Sequence, residues 1–105
     1  MIKVSFAQSK GMIKGFTLEG HSGAGFEGSD IVCAAVSSAA YMTVNTITEV
    51  LGLNPDIEVD DGFMAIKLSS AQFEKAQNIL CGFRLHLTAL SEQYQENITV
   101  KISEV

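Results

Sequence analysis

A single proline interrupts 105 residues, and no stretch combines low hydrophobicity with a run of charge. With 47% hydrophobic residues, that scarcity argues against a disordered tail and for dense regular structure. The length suits one compact domain, residues 1–105, and is too short for two. Basic residues are also few. Seven Lys and Arg stand against twelve Asp and Glu, a formal net charge of −5, and no basic cluster could neutralise successive phosphates. Direct nucleic-acid binding is therefore disfavoured, while an acidic surface favours encounter with a basic protein or peptide. No apolar run reads as long enough to span a bilayer, and the N-terminal MIKVSFAQSKGMIKG has no signal-peptide core, so a cytoplasmic location is expected. In that reducing compartment the only two cysteines, Cys33 and Cys81, are expected as thiols, so neither is explained by a structural disulfide.

What is present is alternation, then glycine, then helical spacing. Residues 2–8 and 12–19 alternate as strands around a turn at Ser9, Lys10 and Gly11, which predicts an opening β-hairpin. Residues 20–30, GHSGAGFEGSD, hold four glycines and no apolar period, and read as a loop. Ser29 or Asp30 can cap a helix over 30–51, stopped by Gly52 and Pro55. Its first three turns are mostly Ala, Ser and Val, which predicts a close-packed helix buried on most sides. A second hairpin, 56–61 and 62–68, is expected around Asp61-Gly62, followed by a helix capped by Ser69 or Ser70. In that helix Phe73, Ala76, Leu80, Phe83, Leu87, Leu90 and Tyr94 form one core face, and residues 97–103 alternate as a fifth strand. The order ββαββαβ predicts an α+β fold: two helices on a mostly antiparallel sheet of about five strands.

The glycine-rich loop joins the two residues with the most chemistry to offer. A cysteine attacks as its thiolate, and both a helix N-terminus and a neighbouring imidazole favour that anion. With Asp30 as N-cap, Cys33 falls at the third helical position, where unpaired backbone N–H groups and the helix dipole favour an anion and can serve as an oxyanion hole. His21, twelve residues earlier, can fold back over the loop to take the thiol proton and return it to a leaving amine. Asp30 is placed either to cap the helix or to orient the imidazole, and the sequence leaves both open. Taken singly, Cys33 is as readily small core filler and His21 a structural hydrogen-bonding residue. It is the combination of histidine, four glycines, helix cap and cysteine that core packing does not require.

Other patterns compete less well. Gly23, Gly25 and Gly28 spell G-x-G-x-x-G, but the motif ends before the helix cap and lies between expected hairpins rather than in a βαβ unit, so nucleotide binding is disfavoured. Gly20-His21-Ser22 lacks the closing glycine of a serine-hydrolase elbow, since Ala24 stands there. A zinc site from His21, Cys33, Cys81 and His86 is disfavoured because Cys81 and His86, five apart on one helix, point in different directions. No metal or other cofactor is expected. Cys81, Leu85 and Ala89 make a second apolar strip on the later helix, either more core or the contact of an isologous homodimer.

The run GHSGAGFEGSDIVCAAVS, residues 20–37, closely resembles the signature of the ribosomal-processing cysteine protease family, Prp. Its elements are Gly20-His21 ending a strand, the glycine loop, Gly28-x-Asp30-Ile31-Val32-Cys33-Ala34 opening a helix, and Ser37 one turn on. Length and strand order fit as well. The resemblance implies a cytoplasmic thiol endopeptidase and hydrolase that serves ribosome biogenesis. Its implied substrate is the precursor of large-subunit ribosomal protein number twenty-seven, from which it removes a short apolar N-terminal extension. It further implies His21 as base, Cys33 as nucleophile, Gly20, Asp30 and Ser37 as supporting residues, a homodimer, and a loop that moves to admit the peptide. Gly23, Gly25 and Gly28 suit a moving loop on physical grounds too. The alternative is a non-enzymatic, ribosome-associated module that uses the loop as a peptide-docking groove.

Overall fold

The computed structural model describes residues 1–20 and 31–105. Its elements run β1 (Ile2–Ser9), β2 (Met12–Glu19), α1 (Ile31–Asn45), β3 (Asp56–Asp60), β4 (Phe63–Lys67), α2 (Phe73–Gln93) and β5 (Ile98–Glu104). This is the expected ββαββαβ order. The five strands form one sheet in the order β3-β4-β2-β1-β5, antiparallel except for the pairing of β1 with β5.

Alternation decides which face is covered. Ile2, Val4 and Phe6 on β1 stand opposite Ile98 and Val100 of β5 and Leu18 and Phe16 of β2, and this face meets the helices. From α1 come Val32, Val36, Ala40 and Val44, and from α2 Ala76, Leu80, Phe83 and Leu87. Phe6, Phe16 and Phe83 pack ring against ring at the centre, with centroids 4.8 to 6.0 Å apart. The other face of the sheet carries small and polar residues, with Ser5 beside Thr17 and Ala7 beside Gly15.

Both hairpin turns fall where the sequence puts them. Ser9 pairs with Met12 across Lys10 and Gly11, both at positive φ as a type I′ turn requires. Asp60 pairs with Phe63 across Asp61-Gly62. The first hairpin also contains a bulge, since Ala7 pairs with Gly15 and Gln8 with Ile13. The Gln77 side chain repairs the break: its Oε1 accepts from the Ile13 N–H (2.9 Å) and its Nε2 donates to the Ile13 carbonyl (2.7 Å).

Three expectations need correction. First, α1 is not buried on most sides. Its buried positions form one stripe, Val32, Val36, Ala40, Thr43 and Val44, while Ile31, Ala34, Ser38, Tyr41 and Met42 are exposed. Alanine and serine fit a tight interface but supply too little apolar area to demand one. Second, α1 widens into a π-helical turn at Thr46–Val50 before Gly52 ends it at positive φ. Thr43, Thr46 and Thr48 each donate a hydroxyl hydrogen bond to the carbonyl four residues back, a local competitor of the helical ladder. The combined stretch Ile31–Val50 is long and apolar enough to cross a membrane, contrary to the sequence expectation, but its apolar stripe lies in the core instead. Third, neither Ser69 nor Ser70 caps α2. Gln72 occupies the cap position without a side-chain cap bond; its Oε1 accepts from the Ser69 N–H while its own N–H donates to the Ser69 carbonyl, closing a turn ahead of the helix.

Candidate active site

Cys33 is the third residue of α1 as described, one position past Val32 in the core stripe. Its side chain is half-buried, packed against the core on one side and open to a groove on the other, and neither it nor Cys81 is in a disulfide. Successive helical residues are turned by about 100°. Positions 33, 37 and 41 therefore form their own stripe beside the buried 32, 36 and 40, and Cys33, Ser37 and Tyr41 all line the groove.

The groove has a volume of about 270 Å³. Its floor is apolar, with Ile2, Leu18, Val36, Ala40 and Met64, and its far wall is the β3–β4 turn, Asp60 to Phe63. Gly20 also lines it. That residue sits at φ +94°, donates its N–H to the Gly62 carbonyl (2.9 Å), and lies so close to the chain start that an added Cβ would fall 2.4 Å from the Met1 carbonyl oxygen. Glycine is needed here for both conformation and room. It ties the end of β2 to the β3–β4 turn that lines the groove.

A larger depression, about 820 Å³, lies elsewhere, lined by Ser5, Ala7, Gly15, Thr17 and Ala65 of the uncovered sheet face among others. Among the described residues that line it there is neither cysteine nor histidine, whereas the smaller groove holds Cys33 and is the better candidate for covalent chemistry. The remaining residues assigned from the sequence, His21, Gly23, Gly25, Gly28 and Asp30, lie outside the described residues. On α2, Cys81, Leu85, His86 and Ala89 are all exposed, which removes the reading of the second strip as core. Among the described residues no group of three or more His, Cys, Asp and Glu is arranged to hold a metal ion.

A family model described as "Cysteine protease Prp" matches residues 1–99. This chain belongs to the Prp family. It is a cysteine peptidase, and its relatives carry the same assignment. The "Ribosomal processing cysteine protease Prp" of Staphylococcus aureus is 34% identical over 91 residues, 85% of this chain and 86% of the relative. That of Bacillus subtilis is 29% identical over 108 residues, 95% and 96% of the two chains. Among solved structures, the S. aureus Prp in complex with a covalently linked product peptide matches with a TM-score of 0.88 at 33% identity, covering 98% of this chain and 100% of that one. SMU.848 from Streptococcus mutans matches with a TM-score of 0.87 at 35% identity, covering 100% of this chain and 96% of that one.

Tyr41, Asp60, Asp61 and Phe63 line this Prp groove without having been singled out from the sequence. Tyr41 carried a signal, its spacing of eight from Cys33 on an expected helix. The other three carried none, because they reach the groove only through the pairing of β2 with β4, where Glu19 stands opposite Phe63.

Proposed function

We propose that this chain is a cytoplasmic endopeptidase that removes the N-terminal extension of a large-subunit ribosomal protein, number twenty-seven, with Cys33 as nucleophile and His21 as general base. The observation that carries it is the placement of Cys33: a thiol on the first turn of a helix held by the core, half-buried and open to a groove of about 270 Å³. The relatives named as ribosomal processing enzymes, one of them crystallised with a product peptide covalently linked, support the substrate class and the covalent route.

The sequence of events follows from these groups. The imidazole of His21 takes the thiol proton, and Sγ attacks the scissile carbonyl carbon. Backbone N–H groups of the first turn stabilise the oxyanion that forms. The C–N bond then breaks as the imidazolium returns its proton to the leaving amine, which leaves a thioester on Cys33. Water, deprotonated by the same imidazole, hydrolyses the thioester and regenerates the thiol. Gly20 and Ser37 line the groove around the nucleophile, Asp30 caps the helix or orients His21, and Gly23, Gly25 and Gly28 give the intervening loop freedom to admit the peptide. A homodimer through the exposed Cys81, Leu85 and Ala89 strip of α2 completes the reading.

The test is incubation with the precursor ribosomal protein and mass spectrometry of the products. Native protein should release one N-terminal peptide, and Cys33→Ala and His21→Ala should release none. Cys33→Ala should still bind the precursor, which separates a protease from a docking module. Undiminished cleavage by either variant refutes the dyad.

A further inference from the structure

Resting on the reading of this chain as a processing protease, we infer that the free edge of β3 is an exosite: it binds, by strand addition, an extended segment of the precursor in which basic residues alternate with apolar ones, away from the scissile bond. β3 is an outer strand of the sheet, paired only with β4. Asp60 and Phe63 close the two-residue turn as a hydrogen-bonded pair, so Asp60, Glu58 and Asp56 direct their backbone groups toward β4. Ile57 and Val59 therefore direct N–H and C=O outward, and no backbone hydrogen bond among the described residues engages that side. Such a row is a template for one more strand.

Side chains decide which strand it accepts. Every residue of β3 is exposed. Asp56, Glu58 and Asp60 share one face, and the cross-strand neighbours of Glu58 and Asp60, Ala65 and Phe63, carry no charge to offset them. Ile57 and Val59 share the other face at 40% and 51% exposure. A second β3 would set carboxylate against carboxylate, which disfavours pairing between copies, whereas Lys or Arg at alternate positions meets these carboxylates and apolar residues between them cover Ile57 and Val59. The precursor is the occupant because the strand is continuous with the site: its end, Asp60, and the following Asp61 line the groove that holds Cys33. That groove, about 270 Å³, falls below the range that encloses even a drug-sized ligand, so it takes only the residues beside the reacting bond and leaves the rest of the precursor to be held outside it.

The experiment compares the full precursor with a short peptide spanning its cleavage site, as substrates of native protein, Val59→Pro and Glu58→Lys. Proline at 59 removes an outward N–H and spares the ladder to β4, the arrangement in which edge strands tolerate it. Each variant should raise KM for the precursor about two- to tenfold with kcat unchanged, and should cleave the short peptide as native protein does. The KM of Glu58→Lys should also respond less to added salt. Glu58→Lys leaves the backbone intact and decides the matter if Val59→Pro slows peptide cleavage as well: precursor and peptide kinetics altered by it equally, or not at all, overturn the exosite. Binding separates the two levels. Cys33→Ala carrying Glu58→Lys should bind the precursor two- to tenfold more weakly than Cys33→Ala alone, and equal binding refutes the exosite, whereas cleavage surviving in Cys33→Ala refutes the nucleophile.

Discussion

Replacing Gly20 by alanine sets two independent penalties against one bond. The residue adopts φ +94°, a conformation that L side chains rarely take, and a methyl group there would point at the Met1 carbonyl oxygen from 2.4 Å. The left-handed backbone alone costs an alanine about 1–2 kcal/mol. The overlap is with backbone rather than a flexible side chain, so relief requires β1 or the β3–β4 turn to shift, and overpacking of this kind adds about 1–3 kcal/mol. Gly20 also donates to the Gly62 carbonyl at 2.9 Å, and a shift that lengthens this bond weakens the tie between β2 and the groove wall. The two together come to about 2–5 kcal/mol. In a domain of this size each kcal/mol lowers the melting temperature by roughly 4–8 °C. Thermal unfolding followed by circular dichroism should therefore show a drop of about ten degrees or more for Gly20→Ala. Peptidase activity measured well below the new midpoint should also fall, because the wall carrying Asp60, Asp61 and Phe63 moves with the turn. An unchanged melting temperature would show that Gly20 is not held by its neighbours as argued, and that its place in the signature has another origin.

Two further outcomes follow from groups outside the groove. Gln77→Leu removes the amide that bonds both backbone groups of Ile13 at the β1–β2 bulge, leaving a part-buried N–H and carbonyl without that partner. Urea unfolding should show a loss of about 1–3 kcal/mol with kcat/KM nearly unchanged below the transition, and an unaltered midpoint would refute the repair role. Leu85 is 74% exposed on α2. If the Cys81, Leu85 and Ala89 strip joins two copies, Leu85→Glu should convert a dimer into a folded monomer by light scattering, and a dimer that persists rules out this interface.

How far the sequence carried differs by element. The two hairpins were legible because their turns place Gly11 and Gly62 at positive φ, and because the buried Val4, Phe6, Phe16 and Leu18 alternate with small or polar residues such as Ser5, Ala7 and Thr17. The face of α2 was legible from Ala76, Leu80, Phe83 and Leu87, all buried. The orientation of α1 was not, since Ala34 and Ser38 are compatible with core and surface alike and only packing decides between them. Nor was the parallel match of β5 to β1, which no local pattern encodes and which brings Ile98 beside Ile2 from the other end of the chain. The same holds for the site. Cys33 stood out through its helix start, while Asp60, Asp61 and Phe63 come to the groove by a strand pairing across more than forty residues.

The arrangement on α1 shows what holding the Cys33 thiol on a packed helix accomplishes. Val32, Val36 and Ala40 lock the rotation of the helix about its axis, because each is almost wholly buried against the sheet. Cys33, Ser37 and Tyr41 are each one residue further on, so their direction is fixed at about 100° from that buried stripe whatever the loop does. A packed helix resists rotation because every buried side chain would lose its contacts together, and the thiol inherits that rigidity while its partner segment stays glycine-rich. Deleting Ala35 would test the idea at its root: Val36 and Ala40 would be swung about 100° from the sheet, and the helix must either leave the core or turn back to restore it, carrying Cys33 out of register with the groove. Either outcome abolishes cleavage, whereas a deletion that left a stable, fully active protein would show that the core stripe does not set the position of the thiol.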